Sequence, residues 1–324
     1  MSRRFLVTGA AGFIGSHCAE ALLRRGDSVV ALDNLNDYYD PSRKRKNLEE
    51  VQACASNSQQ LSIVQGDIRD RELVRKLVAT GFDAIIHLAA MAGVRASVED
   101  PWLYNEVNVV GTLNLLDAAR ESGKPNFVFA GTSSAYGATD RIPFVETDAC
   151  DRPLAPYPAS KRSAELLGYS YHHLHGLDFT ALRFFTVYGP RGRPDMMAYK
   201  VFDTMRLGNA VPLYNGGNMH RDWTFVADIA AGVVAAADRR LGYEIINLGR
   251  GEPVLLSDFV HALESLAGKK ARLVEAPMMD ADVAYTYADV SKARKLLGYD
   301  PKVSVQEGVK EFYDWYVTKV GAFS

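Results

Sequence analysis

Short β-branched and aromatic runs alternate with amphipathic stretches through the first half of the chain. Arg4–Val7 reads as a strand, and Phe13–Arg25 as a helix closed by Gly26. Ser28–Leu32, Leu61–Val64, Ala84–His87 and Asn126–Ala130 have the composition of further strands. Arg71–Ala79 and about Leu103–Glu121 carry helical spacing between them, and a helix from about Ser160 to Leu174 precedes a strand at Phe179–Arg183. Strands that alternate with helices are joined by crossovers. The pattern therefore predicts an α/β fold with a doubly wound parallel sheet, covered by helices on both faces.

From Tyr188 onward the periodicity loosens, and Gly and Pro become frequent (Gly189, Pro190, Gly192, Pro194, Gly216, Gly217). Phe225–Asp238 as a helix and Glu244–Leu248 as a strand return to the first pattern. The expected division is residues 1–184 plus 227–250 for the sheet domain, with 185–226 plus 251–324 forming a smaller, discontinuous C-terminal substrate lobe. A length of 324 residues with 48% hydrophobic content supports a large core of this kind. The 37 basic and 39 acidic residues nearly cancel, which argues against a nucleic-acid partner. Cys18, Cys54 and Cys150 have neither metal nor redox spacing and read as ordinary thiols of a reducing compartment. The opening MSRRFLVTGAAG enters a strand by Phe5, which argues against a signal peptide, and no apolar run approaches membrane-spanning length. A soluble cytoplasmic protein without a membrane partner is expected. The basic run Arg43–Lys46 reads as a solvated helix start in the loop after the second strand.

Chemistry enters at Gly9-Ala-Ala-Gly12-Phe13-Ile14-Gly15, between the first strand and the first helix. Glycines there let the backbone approach a pyrophosphate, and free N–H groups at the helix start bind the anion. Asp33 ends the second strand about 20 residues on, where its carboxylate can bond both ribose hydroxyls and repel a 2′-phosphate. With Asn34 rather than Arg following, NAD is expected over NADP. Asp67 and Ile68 are placed beside the adenine, although an Asp after a strand also serves as a helix cap. Leu88, Ala89 and Ala90 are small enough at the fourth strand's end to admit a cofactor. His87 before them reads as a packed core histidine.

Tyr157 and Lys161 lie four apart, hence on one face of a helix. A tyrosine of ordinary pKa near ~10 is a poor base at neutral pH, but a neighbouring ammonium stabilises its phenolate. Thr132, at the end of the fifth strand, is the hydroxyl expected to fix the reacting oxygen. Lys161 is also expected to hold the nicotinamide ribose.

These residues resemble the extended short-chain dehydrogenase/reductase family: Gly9–Gly15, Thr132 with Tyr136-Gly137, and Tyr157 with Lys161 carry the likeness, which spans essentially the whole chain. The fold implied is a Rossmann sheet with a substrate lobe. Three longer strings, Asp33–Tyr39, Ala92–Arg95 and Arg183–Pro190 followed by Gly192–Met196, are similar to UDP-glucuronate 4-epimerases. The resemblance implies that Tyr157 takes the proton of the sugar 4-hydroxyl while hydride leaves C4 for NAD. The 4-keto sugar then rotates and is reduced on its other face. Among cofactor contacts it adds Asn108 and Phe184. For the nucleotide and sugar it offers Arg221 on the pyrophosphate, Tyr214 on uracil, Arg193, Asp282 and, at a loop, Arg95.

Related 4,6-dehydratases and sugar-acid decarboxylases carry an acidic residue just after the position of Thr132. Ser133 and Ser134 are neutral, which favours return of the hydride with no further step. With Thr186 they can bond a C6 carboxylate. UDP-galactose 4-epimerases typically carry Asn at the place of Thr186 and an Arg near Met278–Val283, and this chain has neither. A UDP-glucose/UDP-galactose 4-epimerase remains the same-class alternative, and a non-catalytic NAD-sensing protein the alternative of another class. His172, His173 and His175 do not converge on one face of a helix, so no metal is expected. Related enzymes pair helices equivalent to Leu103–Glu121 and Ser160–Leu174 into a four-helix bundle, which implies a homodimer. Leu113, Leu116, Leu166, Leu167 and Tyr171 fit that bundle or burial against the sheet equally well.

Overall fold

The computed structural model describes residues 2–322. In chain order the first layer system comprises β1 (Arg4–Thr8), α1 (Phe13–Arg24), β2 (Ser28–Asp33), α2 (Pro41–Ala53), β3 (Leu61–Gln65), α3 (Arg71–Val78) and β4 (Ala84–His87). Two short helices, α4 (Ala96–Glu99) and α5 (Pro101–Asn105), lead into α6 (Gly111–Glu121), β5 (Asn126–Thr132), α7 (Pro156–His175) and β6 (Phe179–Phe184). The remainder comprises β7 (Thr186–Tyr188), α8 (Met197–Leu207), β8 (Val211–Tyr214), β9 (His220–Phe225), α9 (Val226–Ala237) and β10 (Tyr243–Leu248). It ends with β11 (Pro253–Leu255), α10 (Leu256–Ala267), β12 (Leu273–Ala276), α11 (Ser291–Leu297) and α12 (Val305–Lys319).

Seven strands form one parallel sheet in the order β10-β6-β5-β4-β1-β2-β3. Alternate strand residues face opposite cores. Phe5, Val7, Val128 and Leu182 pack beneath α1 and α9, whereas Leu6, Ile85, Phe127 and Phe179 pack beneath α3, α6 and α7. Burial on both faces accounts for the unbroken apolar runs in the sequence. β1 lies between β2 and β4, so the chain reverses its direction of travel across the sheet there and leaves a crevice at the strands' carboxyl ends.

The expected single helix over 103–121 is divided. A π-turn at Glu106–Val110 separates α5 from α6. Its Asn108 bonds Met91 through both amide atoms and also donates to Ser160. A widened turn of this kind re-aims one side chain without ending the helix. α7 starts at Pro156, four residues before the expected start, because proline suits the first helical position. Tyr157 is thereby in the first turn. Leu116 is fully buried against the sheet, while Leu113 and Leu166 are exposed.

Two small sheets, β11-β9-β7 and β12-β8, pack with α8, α10 and α12 around a separate core of Phe202, Phe259 and Phe312. Trp223 stacks on Phe259 with ring centroids 3.7 Å apart. Buried Asp222 accepts hydrogen bonds from the N–H groups of Arg250, Gly251 and Ala288, which pins three loop positions to β9. β9 runs straight into α9, which packs on α1 beneath the large sheet. Among the described residues, no helix is long and apolar enough to cross a membrane, and no group of His, Cys, Asp and Glu forms a metal cluster.

Candidate active site

The glycine turn is shaped by contacts that tolerate no Cβ. Gly9 has φ of +70°, and a Cβ there would lie 2.7 Å from the Ala89 nitrogen. A Cβ on Gly15 would lie 2.0 Å from the Gly9 carbonyl oxygen. The turn from β1 therefore presses against Leu88–Ala89 at the end of β4. Gly12 caps α1 without a side chain and no acid occupies the first turn, so an anion meets free N–H groups and the positive helix end. Asp33 closes the other side: its carboxylate accepts from Ala11 N–H at 3.0 Å and Leu35 N–H at 2.9 Å. Burial raises its pKa, against the Leu35 N–H, the Lys44 charge and the Ala11 N–H.

One cleft gathers Gly9, Gly12, Phe13, Ile14, Gly15, Asp33, Asn34, Asp67, Ile68, Leu88, Ala89, Ala90, Tyr157, Lys161, Phe184 and Arg193. Asp67 is engaged by Arg69 and Asn34; the Arg69 hydrogen bond foremost holds its pKa down at about 2. Asn108 is the exception among the expected cofactor contacts. It lies under the cleft, 1% exposed, with its amide committed to Met91 and Ser160, and it does not line the cavity.

The same cleft contains Asn36, Tyr38, Tyr39, Lys44 and Met91, none of which the sequence reading assigned to a site. Lys44 sits inside the basic run read as solvated. It is 6% exposed, and its ammonium donates to the Asn36 carbonyl at 2.8 Å. Helical spacing held the missing signal, since Lys44, Asn47, Leu48 and Val51 share the buried face of α2.

A second cavity adjoins, lined by Ser133, Ser134, Thr186, Arg221 and Asp282 with Val94 and Pro158. Tyr157 and Pro158 are consecutive on α7, so the first turn of that helix forms the wall between the two cavities. Thr132 is the hinge of the β5 end: Gly131 lines the first cavity and Ser133 the second. The Thr132 oxygen accepts from Ser134 N–H at 3.1 Å, which frees its hydroxyl proton for another acceptor. Burial raises the Tyr157 pKa, while the Arg193 charge and a hydrogen bond with the Thr132 side chain lower it. Lys161 is 2% exposed and lies 4.7 Å from the Phe129 ring centre. Burial depresses its pKa to about 7, with the Glu165 charge acting in the opposite direction. The sequence reading had the ammonium drawing the phenol down. Burial dominates both groups, and the cation acting on Tyr157 is Arg193.

Arg193 is itself forked onto Asp195 at 2.9 and 2.8 Å, and beside it the Tyr38 hydroxyl donates to Asp195 at 3.3 Å. Tyr214 does not present a free ring. The Arg95 guanidinium lies over it at 3.7 Å and pairs with Asp282 at 2.7 Å. Tyr214 lines neither cavity, and a planar cation covers one face of its ring. Arg221 reaches the second cavity while donating to the His220 carbonyl at 2.8 Å, and burial lowers its pKa. The charge of Asp282, in the same cavity, opposes that burial effect, and an anion there would meet the guanidinium beside it. His87 is fully buried between the Thr8 and Thr112 hydroxyls at 2.7 and 2.9 Å, and burial holds it neutral.

Residues 5–249 match the NAD dependent epimerase/dehydratase family. A UDP-glucuronate 4-epimerase of Thermodesulfobacterium geofontis is 44% identical over 313 residues, covering 96% of this chain and 95% of that protein. Among solved structures, the UDP-glucuronic acid 4-epimerase of Bacillus cereus in complex with UDP-glucuronic acid and NAD superposes with a TM-score of 0.89. It has 34% identity over 97% of this chain and 99% of that one. A dTDP-glucose 4,6-dehydratase double mutant from Streptomyces venezuelae with NAD bound reaches 0.90 at 31% identity, over 98% of this chain and 97% of that one.

Proposed function

The chain belongs to the NAD dependent epimerase/dehydratase family, and from that premise we propose that it interconverts UDP-glucuronate and UDP-galacturonate by oxidation and re-reduction at C4. A dehydratase and an epimerase superpose on it almost equally well, so the backbone does not choose the reaction. The residues bordering Tyr157 do. The observation that carries the reading is the cavity shared by Ser133, Ser134 and Thr186: neutral hydroxyls at 133 and 134, where dehydration would require an acid, and a third at 186 to join them on a carboxylate.

The first cleft suits NAD by its donor set: an open helix start, glycines that exclude Cβ atoms, a carboxylate at the end of β2 and an apolar flank of Leu88 and Phe184. Gly12–Gly15 would hold the pyrophosphate, Asp33 the adenosine ribose, and Tyr157 with Lys161 the nicotinamide end. Bound there, NAD supplies the hydride acceptor for the first half-reaction and the donor for the second. Tyr157 takes the proton of the sugar 4-hydroxyl and later returns it. Thr132 donates to the same oxygen and fixes its position, and Lys161 stabilises the phenolate that forms. Ser133, Ser134 and Thr186 hold the C6 carboxylate, keeping the C5–C6 bond near the plane of the C4 ketone. A β-keto acid held so loses CO₂ slowly. Arg221 faces the diphosphate.

Incubating purified protein with UDP-glucuronate should yield UDP-galacturonate, identified by proton NMR, with no stoichiometric NADH and no CO₂. Release of CO₂ as fast as epimer forms removes the carboxylate grip. Faster conversion of UDP-glucose than of the uronate assigns the neutral sugar instead.

We also propose a homodimer through α6 and α7. Leu113 (37% exposed), Leu166 (52%) and Tyr169 (51%) place apolar surface on these adjacent helices. A cytoplasmic location accords with Cys18, Cys54 and Cys150, all free thiols.

A further inference from the structure

One helical turn beyond Lys161, on the same face of α7, stands an acid that the reaction as described does not use. Glu165 is fully buried, and so is the arginine that holds it. Arg183 of β6 forks onto its carboxylate through Nε at 3.0 Å and Nη2 at 2.8 Å. Arg162 reaches it from the helix rim at 3.0 Å. Gly131 of β5 makes the room: a Cβ there would lie 3.3 Å from Glu165 Oε1 and 3.3 Å from Arg183 Cγ. Arg183 in turn lies over the Tyr136 ring at 4.7 Å, and Tyr136 donates to Asn247 at 2.7 Å. The carboxylate is thus fixed from β6 and from its own helix, in room left by Gly131 of β5.

A buried ion pair is a weak device for stability, because desolvation offsets most of its attraction. The placement of this one fits another purpose. We propose that Glu165 is a positioning residue for the reaction: its clamped carboxylate, one turn behind Lys161, keeps that buried ammonium charged beside Tyr157. This rests on the function proposed above. The other groups around Lys161 do not supply the counter-charge. His87 from β4 is buried and neutral, and β5 offers the Phe129 ring. From α5 comes the Tyr104 phenol, packed edge-on to Tyr157. From β10, the Tyr243 phenol donates to the Glu165 backbone carbonyl. Arg162 and Arg183 are cations and offer no counter-charge. Among the charges bearing on Lys161, Glu165 alone favours the protonated form, and it does so against burial. An uncharged Lys161 would leave the phenolate that forms during turnover without an ammonium beside it.

The test follows Lys161 directly. In NAD-loaded Glu165→Gln protein, the Lys161 Nζ signal is titrated by ¹⁵N NMR, assigned by its loss in Lys161→Arg, alongside the pH dependence of kcat. The midpoint should fall by about one pH unit or more, and the alkaline limb of kcat should fall with it while KM stays near its original value. An unchanged midpoint in folded Glu165→Gln protein overturns the proposal, even with a lowered melting temperature, because that is the signature of a purely structural pair. Should Glu165→Gln not fold, Arg162→Gln removes a partly exposed cation from the same carboxylate; the midpoint should then rise, and an unchanged midpoint overturns the proposal. If wild-type protein leaves UDP-glucuronate unchanged, the functional reading falls, while the NMR titration still decides the role of Glu165.

Discussion

At Lys161 the needs of the fold and of the chemistry oppose each other. Burial pulls its pKa from 10.5 to about 7, a disparity worth at most about 5 kcal/mol against the charged form. Below pH 7 the folded protein holds the ammonium, and the whole of that cost is present. Between about 7 and 10.5 the unfolded chain keeps the proton and the folded one releases it, so this residue makes stability rise with pH across that window. Lys161→Met should therefore unfold at a higher temperature than wild type at pH 6, with the gap closing by pH 10, and should have no epimerase activity. Thermal melts of ligand-free protein at both pH values check this; a pH-independent gap contradicts it. Asp67 shows the opposite sign. Its pKa of about 2, owed first to Arg69, gives stability that is present above pH 4 and lost as pH falls through 2. Both partners are partly exposed, so the contribution is small. Asp67→Asn should flatten the acid limb of the melting profile only in that window. Tyr157→Phe should lower kcat by about 10² to 10⁴-fold and leave NAD content unchanged, since the phenol oxygen moves a proton and the ring stays packed on Tyr104.

At the scale of the element, α7 carries the chemistry and its packing sets the position of Tyr157 and Lys161. Gly168 lets it approach β6: a Cβ there would meet the Phe179 ring at 2.4 Å. Gly168→Ala should destabilise by about 1–3 kcal/mol and lower kcat, because relief of the clash tilts the helix that holds the base. Calorimetry and steady-state rates on the same preparation test both halves; full activity at full stability contradicts the packing argument. The helix itself was legible in the sequence as a periodic stretch between a turn and Gly176. Its start was not: the expected beginning near Ser160 lies a turn inside the helix, which opens with Pro156 at the first helical position, where proline is favoured. The π-turn at Glu106–Val110 was equally hidden. Its side-chain partners are distant in sequence: Met91 and Ser160 both bond Asn108.

Across the whole molecule, two cavities meet at the first turn of α7, with the large sheet on one side and the lobe of β8, β9 and β12 on the other. Replacing Leu113 and Leu166 together by Glu should convert a dimer into a monomer by sedimentation velocity, because charges on both helices would be buried unpaired. An unchanged dimer moves the interface elsewhere. The sheet, its parallel sense, the glycine turn and the Tyr157–Lys161 pair were determined by the chain alone, since each follows from periodicity or short spacing, and neighbours in sequence remain neighbours in space. Tertiary structure alone decided the rest. Asn108 turned beneath the cofactor cleft, Lys44 left the solvent for it, Tyr214 was covered by Arg95, and Glu165 met Arg183 behind Lys161. Each is set by contacts between segments far apart in the chain, where the three-dimensional neighbours determine which polar atoms are already bonded and which stay free to meet a ligand.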